Sequence, residues 1–171
     1  MWADESAFYL LPGRVRTRAP RGATPLLRLP LTRDHLAAIS GVTKRGRLFL
    51  RLQDAAVRGP DCVAFLRQLA AKIRGRLLVI WDGAPIHRAQ PVEDFLRTRT
   101  GRRFRLETLP GYAPDLNPDE GIWQYLKRVE LRNVCCDDLP QLRDELGLAV
   151  RRLRHRPDII RACFLEVGLS A

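Results

Sequence analysis

The sequence has few of the residues that cross-link a chain or carry it through a membrane. Its four cysteines show no C-x-x-C spacing and have no histidine at a distance typical of zinc sites. Two of them, Cys135 and Cys136, are adjacent, which is a poor basis for a disulfide framework, so we expect reduced thiols and a cytoplasmic protein. The apolar runs are of strand length and interrupted by arginine, which indicates neither a signal peptide nor a membrane span.

Lysine is also scarce, because 27 of the 30 basic residues are arginine, and the formal net charge is +11. Such a surplus favours a polyanionic partner, since each arginine that neutralises a phosphate releases counterions. Arginine enrichment through codon usage in a GC-rich genome remains the alternative explanation. The arginines form three clusters: Arg14, Arg16, Arg18 and Arg21; Arg97, Arg99, Arg102, Arg103 and Arg105; and Arg151, Arg152, Arg154 and Arg156.

No internal repeat or low-complexity linker divides the 171 residues, so we expect one domain with a substantial core. Hydrophobic patterning predicts strands at 1–9, 35–43, 47–53, 77–81 and 104–109. Helices are predicted from 59, then at 88–99, 118–133 and 139–154, and the segment 11–30 is expected to be an extended or hairpin excursion. This order predicts an α/β fold with a mixed five-stranded sheet flanked by helices.

Three acidic residues suggest a metal centre. The segment 109–123, LPGYAPDLNPDEGIW, joins a proline-rich loop to a helix start and brings Glu120 to the junction. Asp82 follows the apolar strand LLVIW, at the strand end where open α/β sheets gather ligands, and Asp4 lies in the first strand. Carboxylates from separate segments suit Mg²⁺ or Mn²⁺, and two such ions about 4 Å apart can support cleavage of a phosphodiester bond.

Each acid also has a purely structural explanation. Asp82 could cap a turn, and Asn117 with Glu120 could form a capping box around Pro118. Asp4 could simply be solvated near the start of the chain. Because neighbouring residues of a strand point to opposite faces, we expect only one of Asp4 and Glu5 to face a site.

Other residues near these acids leave two interpretations open. His87 could touch a phosphate or hydrogen-bond a carboxylate, or it could be a partly buried histidine at a helix start. Trp123 and Tyr125, on the helix of Glu120, are expected to belong to the core rather than to stack on bases.

In order along the chain, three blocks resemble the DDE transposases of the mariner superfamily, especially the branch carried by bacterial insertion sequences. The first is Trp2-Ala3-Asp4-Glu5-Ser6, similar to a strand leading into Asp-Glu-Ser. The second is the segment 80–87, IWDGAPIH, similar to Asp-Asn-Ala-x-x-His. The third is the segment 109–123, similar to Leu-Pro-Pro-Tyr-Ser-Pro-Asp-Leu-Asn-Pro-x-Glu-x-x-Trp, and it is the most specific.

The resemblance implies a ribonuclease-H-like fold in which Asp4, Asp82 and Glu120 bind Mg²⁺ or Mn²⁺, with two ions expected. It implies cleavage of DNA at transposon ends and attack of the freed 3′-hydroxyl on target DNA, commonly at TA, in a protein associated with the nucleoid. Pairing of two ends implies a homodimer. His87, Asn117 and Arg88 would support the carboxylates or contact DNA.

The sequence also departs from this pattern. Gly83 stands where asparagine is commoner, and Asp119 where an aliphatic residue is usual, which leaves open whether Asp119 joins the metal site. Only three residues precede Asp4, so we expect a clipped first strand that is nevertheless central. Family members carry helix-turn-helix modules that this chain lacks, so a separate DNA-binding module or upstream reading frame is expected.

These departures leave three functions to compare. The first is a transposase catalytic domain showing non-specific, metal-dependent nicking. The second is an inactive, truncated or co-opted transposase that acts as a basic nucleic-acid-binding protein. The third is a ribonuclease-H-like nuclease unrelated to transposition.

Overall fold

A computed structural model describes residues 1–11, 18–23, 32–111 and 113–169. Most of the predicted excursion at 11–30 lies outside these ranges. The described part contains a five-stranded sheet in the order β3-β2-β1-β4-β5. Its strands are β1 (Trp2–Tyr9), β2 (His35–Val42), β3 (Leu48–Gln53), β4 (Leu77–Trp81) and β5 (Phe104–Thr108).

The sheet is mixed, as the order of elements predicted. The first three strands pair antiparallel, and β4 is parallel to both β1 and β5. The predicted hairpin turn between β2 and β3 is confirmed, and Gly46 adopts a φ of +78° there. A side chain at that position would also overlap Pro157, because a Cβ atom would lie 2.6 Å from its Cβ.

Within the described ranges, five α-helices cover the two faces of the sheet: α1 (Gly59–Lys72), α2 (Gln90–Arg97), α3 (Pro118–Tyr125), α4 (Leu139–Arg154) and α5 (Pro157–Glu166). Alternate residues of the strands point into two hydrophobic cores, one on each face of the sheet. Ala38 packs with α3, α4 and α5 in one core, and Ile39 packs with α1 and α2 in the other. Burial on both faces explains the nearly uninterrupted apolar run of β2. In β4, Leu77, Val79 and Trp81 are buried, whereas Leu78 is exposed although the run is entirely apolar. Among the described helices, none combines the length and hydropathy needed to cross a membrane.

The helix predictions were wrong in three places. The helix expected at 88–99 is shorter, because a 3₁₀ turn at Pro85–Arg88 precedes α2. The helix expected to reach 133 ends at Tyr125 and continues as a π-helical turn at Leu126–Glu130. Helix α5 was not predicted, and only two residues separate its start at Pro157 from the end of α4.

The pairing of β1 with its two neighbours positions the acidic residues. Trp2 pairs with Ile80 in the parallel ladder, so Asp4 lies level with Asp82, just beyond the end of β4. On the other side, Asp4 is directly paired with Ser40 of β2. The central position expected for the first strand is confirmed.

Candidate active site

A cavity of about 390 Å³ lies at the end of β4, and all three predicted acids line it. Its other walls are formed by Leu109–Gly111, by Ala113 and by the N-terminus of α3. The residues that line it are Asp4, Asp82, Gly83, Ala84, Leu109, Pro110, Gly111, Ala113, Asn117 and Glu120. The fold therefore brings together side chains as far apart in the sequence as Asp4 and Glu120, which are 116 positions apart.

Asp4 is a buried carboxylate with only 7% of its surface exposed. The indole N–H of Trp123 donates a hydrogen bond to its Oδ2 at 2.9 Å. Burial raises the pKa of Asp4 to about 7, and the charges of Glu120 and Glu5 add to the rise while the Trp123 bond opposes it. Because this pKa is close to neutral, a cation that bound beside Asp4 would readily displace its proton.

Asp82 is half exposed, and its Oδ1 accepts a hydrogen bond from the backbone N–H of Ala84 at 3.0 Å. Asp82 thus caps the turn that follows β4, as its purely structural explanation predicts. This cap does not exclude a second role, because a carboxylate offers about four acceptor positions. Gly83 leaves space beside this turn, since a Cβ atom there would meet only Thr108 Cγ2, at 3.6 Å.

Glu5 also reaches the site, contrary to the expectation that only one of the two adjacent acids would do so. Oxygen atoms of Asp4, Glu5 and Asp82 lie within 4.8 Å of one another. Asp4 and Glu5 do leave β1 on opposite faces, towards Trp123 and Trp81 respectively. Because β4 ends at Trp81, Asp82 leaves the sheet beside β1 and can be approached from both faces.

His87 lies between Glu5 and Asp82. Its Nε2 is 3.1 Å from Glu5 Oε1, its Nδ1 is 3.0 Å from Asp82 Oδ1, and its ring stacks on Trp81. Burial opposes a charged imidazole, but the hydrogen bond and charge of Glu5, helped by Asp82, outweigh it and raise the pKa of His87. The imidazolium form satisfies both acceptors, because it donates from both ring nitrogens.

Glu120 and Asn117 lie at the start of α3. Asn117 is the N-cap, as predicted, and its side-chain oxygen accepts a hydrogen bond from the backbone N–H of Asp119 at 3.2 Å. Glu120 occupies the third helical position, where the helix dipole favours negative charge. Within the part of the chain that the structure describes, neither group of three potential ligand atoms lying within 4.8 Å of one another includes Glu120.

Two other residues do not line the cavity: Arg88, a suggested supporting or DNA-contacting residue, and Asp119, whose part in the metal site was left open. Arg88 is exposed and donates a hydrogen bond to the backbone oxygen of Gly83 at 3.1 Å. Asp119 is fully buried and accepts a hydrogen bond from Ser40. Neither is among the residues that line the cavity. The expectation that Trp123 belongs to the core is confirmed, although its N–H also serves Asp4.

The sequence did not reveal the supporting residues Glu5, Trp81 and Ser40, or the position of Cys62. The thiol of Cys62 lies within 4.8 Å of Glu5 and His87, and burial raises its pKa to about 12. Cys62 is therefore a protonated thiol in the metal-free protein. All four cysteines are free, as expected. The adjacency of Glu5 to Asp4 was visible in the sequence, but strand alternation alone argued against its participation.

Comparison with known families identifies the protein class. Residues 1–143 match the family model described as DDE superfamily endonuclease. The chain belongs to this DDE family. No curated protein matched the chain.

Solved structures of the Mos1 mariner transposase share the fold of this DDE domain. The Mos1 strand transfer complex has a TM-score of 0.66 at 20% identity, over 99% of this chain and 55% of that one. The Mos1 catalytic domain has a TM-score of 0.56 at 16% identity, over 99% of this chain and 84% of that one. The Mos1 paired-end complex with the left transposon end has a TM-score of 0.62 at 18% identity, over 94% and 54%. This chain thus spans about half the length of the transposase chains in the DNA complexes.

The stability of the metal-free protein should fall as pH rises from about 4 to about 7. The folded-state pKa of Asp4, about 7, lies above its ordinary value of 3.8, so the native state holds a proton that the unfolded state has released. Asp4 can contribute a slope of at most about 1.4 kcal/mol per pH unit. Urea denaturation at several pH values should show a shallower slope for Asp4→Asn, and equal slopes would contradict the assignment.

Proposed function

We propose that this chain is the catalytic domain of a mariner-like DDE transposase, from the branch carried by bacterial insertion sequences. It would cut DNA strands at transposon ends and join the freed 3′-hydroxyl to target DNA. The observation that carries the proposal is that Asp4, Asp82 and Glu120 line one cavity. These are the residues that the resemblance to mariner transposases assigns as the metal-binding triad.

The donor set at the cavity suits Mg²⁺ or Mn²⁺. All candidate ligands are carboxylate oxygens, and three of them, from Asp4, Glu5 and Asp82, lie within 4.8 Å of one another. The charges of Glu120 and Glu5 add to the rise in the pKa of Asp4 that burial causes, and a bound cation would relieve this repulsion. Structures of the Mos1 paired-end complex were solved with Mg and with Mn, at 20% and 18% identity to this chain.

The side chains would hold this centre in a defined geometry. Bound divalent ions, expected to be two, would activate the attacking oxygen and stabilise the leaving one. Asp4 would be oriented by Trp123, and Asp82 by the Ala84 N–H and His87. Glu120 would be presented to the same cavity by the capped first turn of α3. Water or a 3′-hydroxyl would attack in line, without a covalent enzyme intermediate.

DNA is the proposed partner, on the basis of the +11 net charge and of the Mos1 complexes, whose names include transposon ends. Part of the arginine surplus has a structural role. Arg103 donates to the backbone oxygens of Ala70, Ile73 and Gly75 at the end of α1, and Arg154 donates to that of Leu48. We further propose that the target is a TA dinucleotide and that the protein acts as a homodimer. A separate module would recognise the transposon ends.

The inactive alternative predicts a displaced Asp4 or a Glu120 turned away from the site. Asp4 instead lies in the cavity under the indole of Trp123, and Glu120 lines the same cavity. The arrangement therefore favours a chain capable of chemistry over a remnant that only binds DNA.

Asp82→Asn should abolish metal-dependent nicking of supercoiled plasmid. The substitution keeps the size of the side chain but removes its charge. We expect the nicking rate to fall by at least about 100-fold, because loss of a residue that only supports a metal ligand already costs up to about 100-fold. Agarose gels of plasmid incubated with Mn²⁺ or Mg²⁺ measure the rate. Asp94→Asn, an exposed acid on α2, is the matched control and should nick like wild type. An active Asp82→Asn protein would refute the proposed triad.

Binding of the chain to duplex DNA should weaken steeply with salt. Six to ten phosphate contacts would lower affinity by about 10³- to 10⁵-fold between 50 and 200 mM salt. Fluorescence anisotropy with random-sequence duplexes, without divalent metal, measures this dependence. Asp82→Asn should retain the same slope, which separates DNA binding from cleavage. A salt-independent affinity would argue against a phosphate-based interface.

A further inference from the structure

Two buried hydrogen bonds attach α3 to neighbouring strands of the sheet. The Ser40 hydroxyl on β2 donates to Asp119 Oδ1 at 2.5 Å, and the Trp123 indole donates to Asp4 Oδ2 on β1 at 2.9 Å. Asp4 and Ser40 are directly paired across the two strands. Residues 119 and 123 are four apart on the helix and so lie on one face of it. The two bonds therefore hold the same helix face at two points about one turn apart.

We propose that Ser40 and Asp119 form a positioning pair that sets where the first turn of α3 presents Glu120 to the metal cavity. This inference rests on the proposed function, in which Glu120 is a metal ligand. Ser40 and Asp119 would act through Glu120, without contacting metal or DNA themselves.

The first turn of α3 needs such an attachment. The helix is eight residues long, too short to be stable by itself, and it runs directly into the π-helical turn at Leu126–Glu130. It is preceded by the irregular segment that carries the 3₁₀ turn Pro114–Leu116. Local structure alone would therefore define the position of Glu120 poorly.

The environment of Asp119 points to orientation rather than to stability. Asp119 is completely buried, and its second oxygen, Oδ2, has no hydrogen-bond partner in the structure. Burying an incompletely paired carboxyl group is costly, so an aliphatic residue, which is usual at this place in the pattern that the chain resembles, would stabilise the core more. The compensating gain is a directional bond to Ser40, one residue before Glu120.

Asparagine at position 119 distinguishes a positioning residue from a metal ligand. It keeps a side-chain oxygen where Asp119 accepts the hydrogen bond from Ser40. Asparagine at a ligand position would instead remove the charge on which metal binding depends.

The test compares Ser40→Ala, Asp119→Leu and Asp119→Asn with the wild-type chain. Two quantities are measured: the Mn²⁺ concentration that gives half-maximal plasmid nicking, and Mn²⁺ binding without DNA, followed by electron paramagnetic resonance. Loss of supporting contacts typically weakens metal binding by about 10- to 100-fold. We therefore expect Ser40→Ala and Asp119→Leu to raise both values by about 10-fold or more, and Asp119→Asn to stay within about threefold of wild type.

A control separates positioning from general destabilisation. Val92→Ala removes volume from the other core, next to α1 and α2, and should lower the melting temperature without changing either Mn²⁺ value. If Ser40→Ala does not fold, Ser40→Cys removes the strong hydroxyl donor while nearly keeping the volume. Proper folding of each variant is checked by circular dichroism before Mn²⁺ is added.

The outcomes distinguish this inference from the proposed function. A wild-type chain that does not bind Mn²⁺, or a Glu120→Gln variant that binds it equally well, overturns the proposed function. If Glu120→Gln loses Mn²⁺ but Ser40→Ala and Asp119→Leu keep wild-type values, only the positioning pair is overturned. Asp119→Asn behaving like Glu120→Gln would also overturn it, since Asp119 would then be a ligand.

Discussion

The parallel pairing of β1 with β4 is the constraint on which the rest of the site depends. It places Asp4 level with Asp82 and ends β4 one residue before the second acid. A shift of one residue in this register would turn Asp4 to the other face of the sheet and replace it with Glu5 or Ala3. The antiparallel pairing of β1 with β2 places Ser40 beside Asp4. Paired positions of the sheet therefore carry an acid of the site and the residue that hydrogen-bonds to Asp119 on α3.

The same pairing concentrates negative charge in a small volume. Asp4, Asp82 and Glu120 line one cavity, although the chain as a whole is strongly basic. Glu5 adds a carboxylate oxygen within 4.8 Å of those of Asp4 and Asp82. Neutral or cationic donors hold these groups in place: the indoles of Trp123 and Trp81 and the imidazole of His87. Each of these side chains packs its ring in the interior and donates a hydrogen bond from its N–H to a carboxylate. The same side chains therefore contribute both to packing and to the position of the acids. Burial, with a further contribution from the charges of Glu120 and Glu5, raises the pKa of Asp4 to about 7.

Much of the fold could be predicted because its elements have strong local signals. The strand LLVIW, the hairpin around Gly46 and the helix Leu139–Arg154 were recognisable from hydrophobic periodicity and turn residues. The errors arose where tertiary packing decided the outcome. Helix α3 changes to a π-helical turn in mid-pattern, and α5 follows α4 with almost no intervening loop. Neither feature changes the local hydrophobic pattern enough to be seen in the sequence.

The sequence by itself determined the chemical nature of the candidate site: three acids in separate blocks, each placed at a strand or at a helix start. It could do so because the turn and cap residues around Asp82 and Glu120 are local and distinctive. Only the tertiary structure decided which groups surround those acids. An oxygen of Glu5 lies within 4.8 Å of oxygens of Asp4 and Asp82, and His87 lies between Glu5 and Asp82. Asp119 bonds to Ser40 and does not line the cavity. These contacts join residues that are 76 to 119 positions apart in Glu5–Trp81, Ser40–Asp119 and Asp4–Trp123, and no local pattern encodes them.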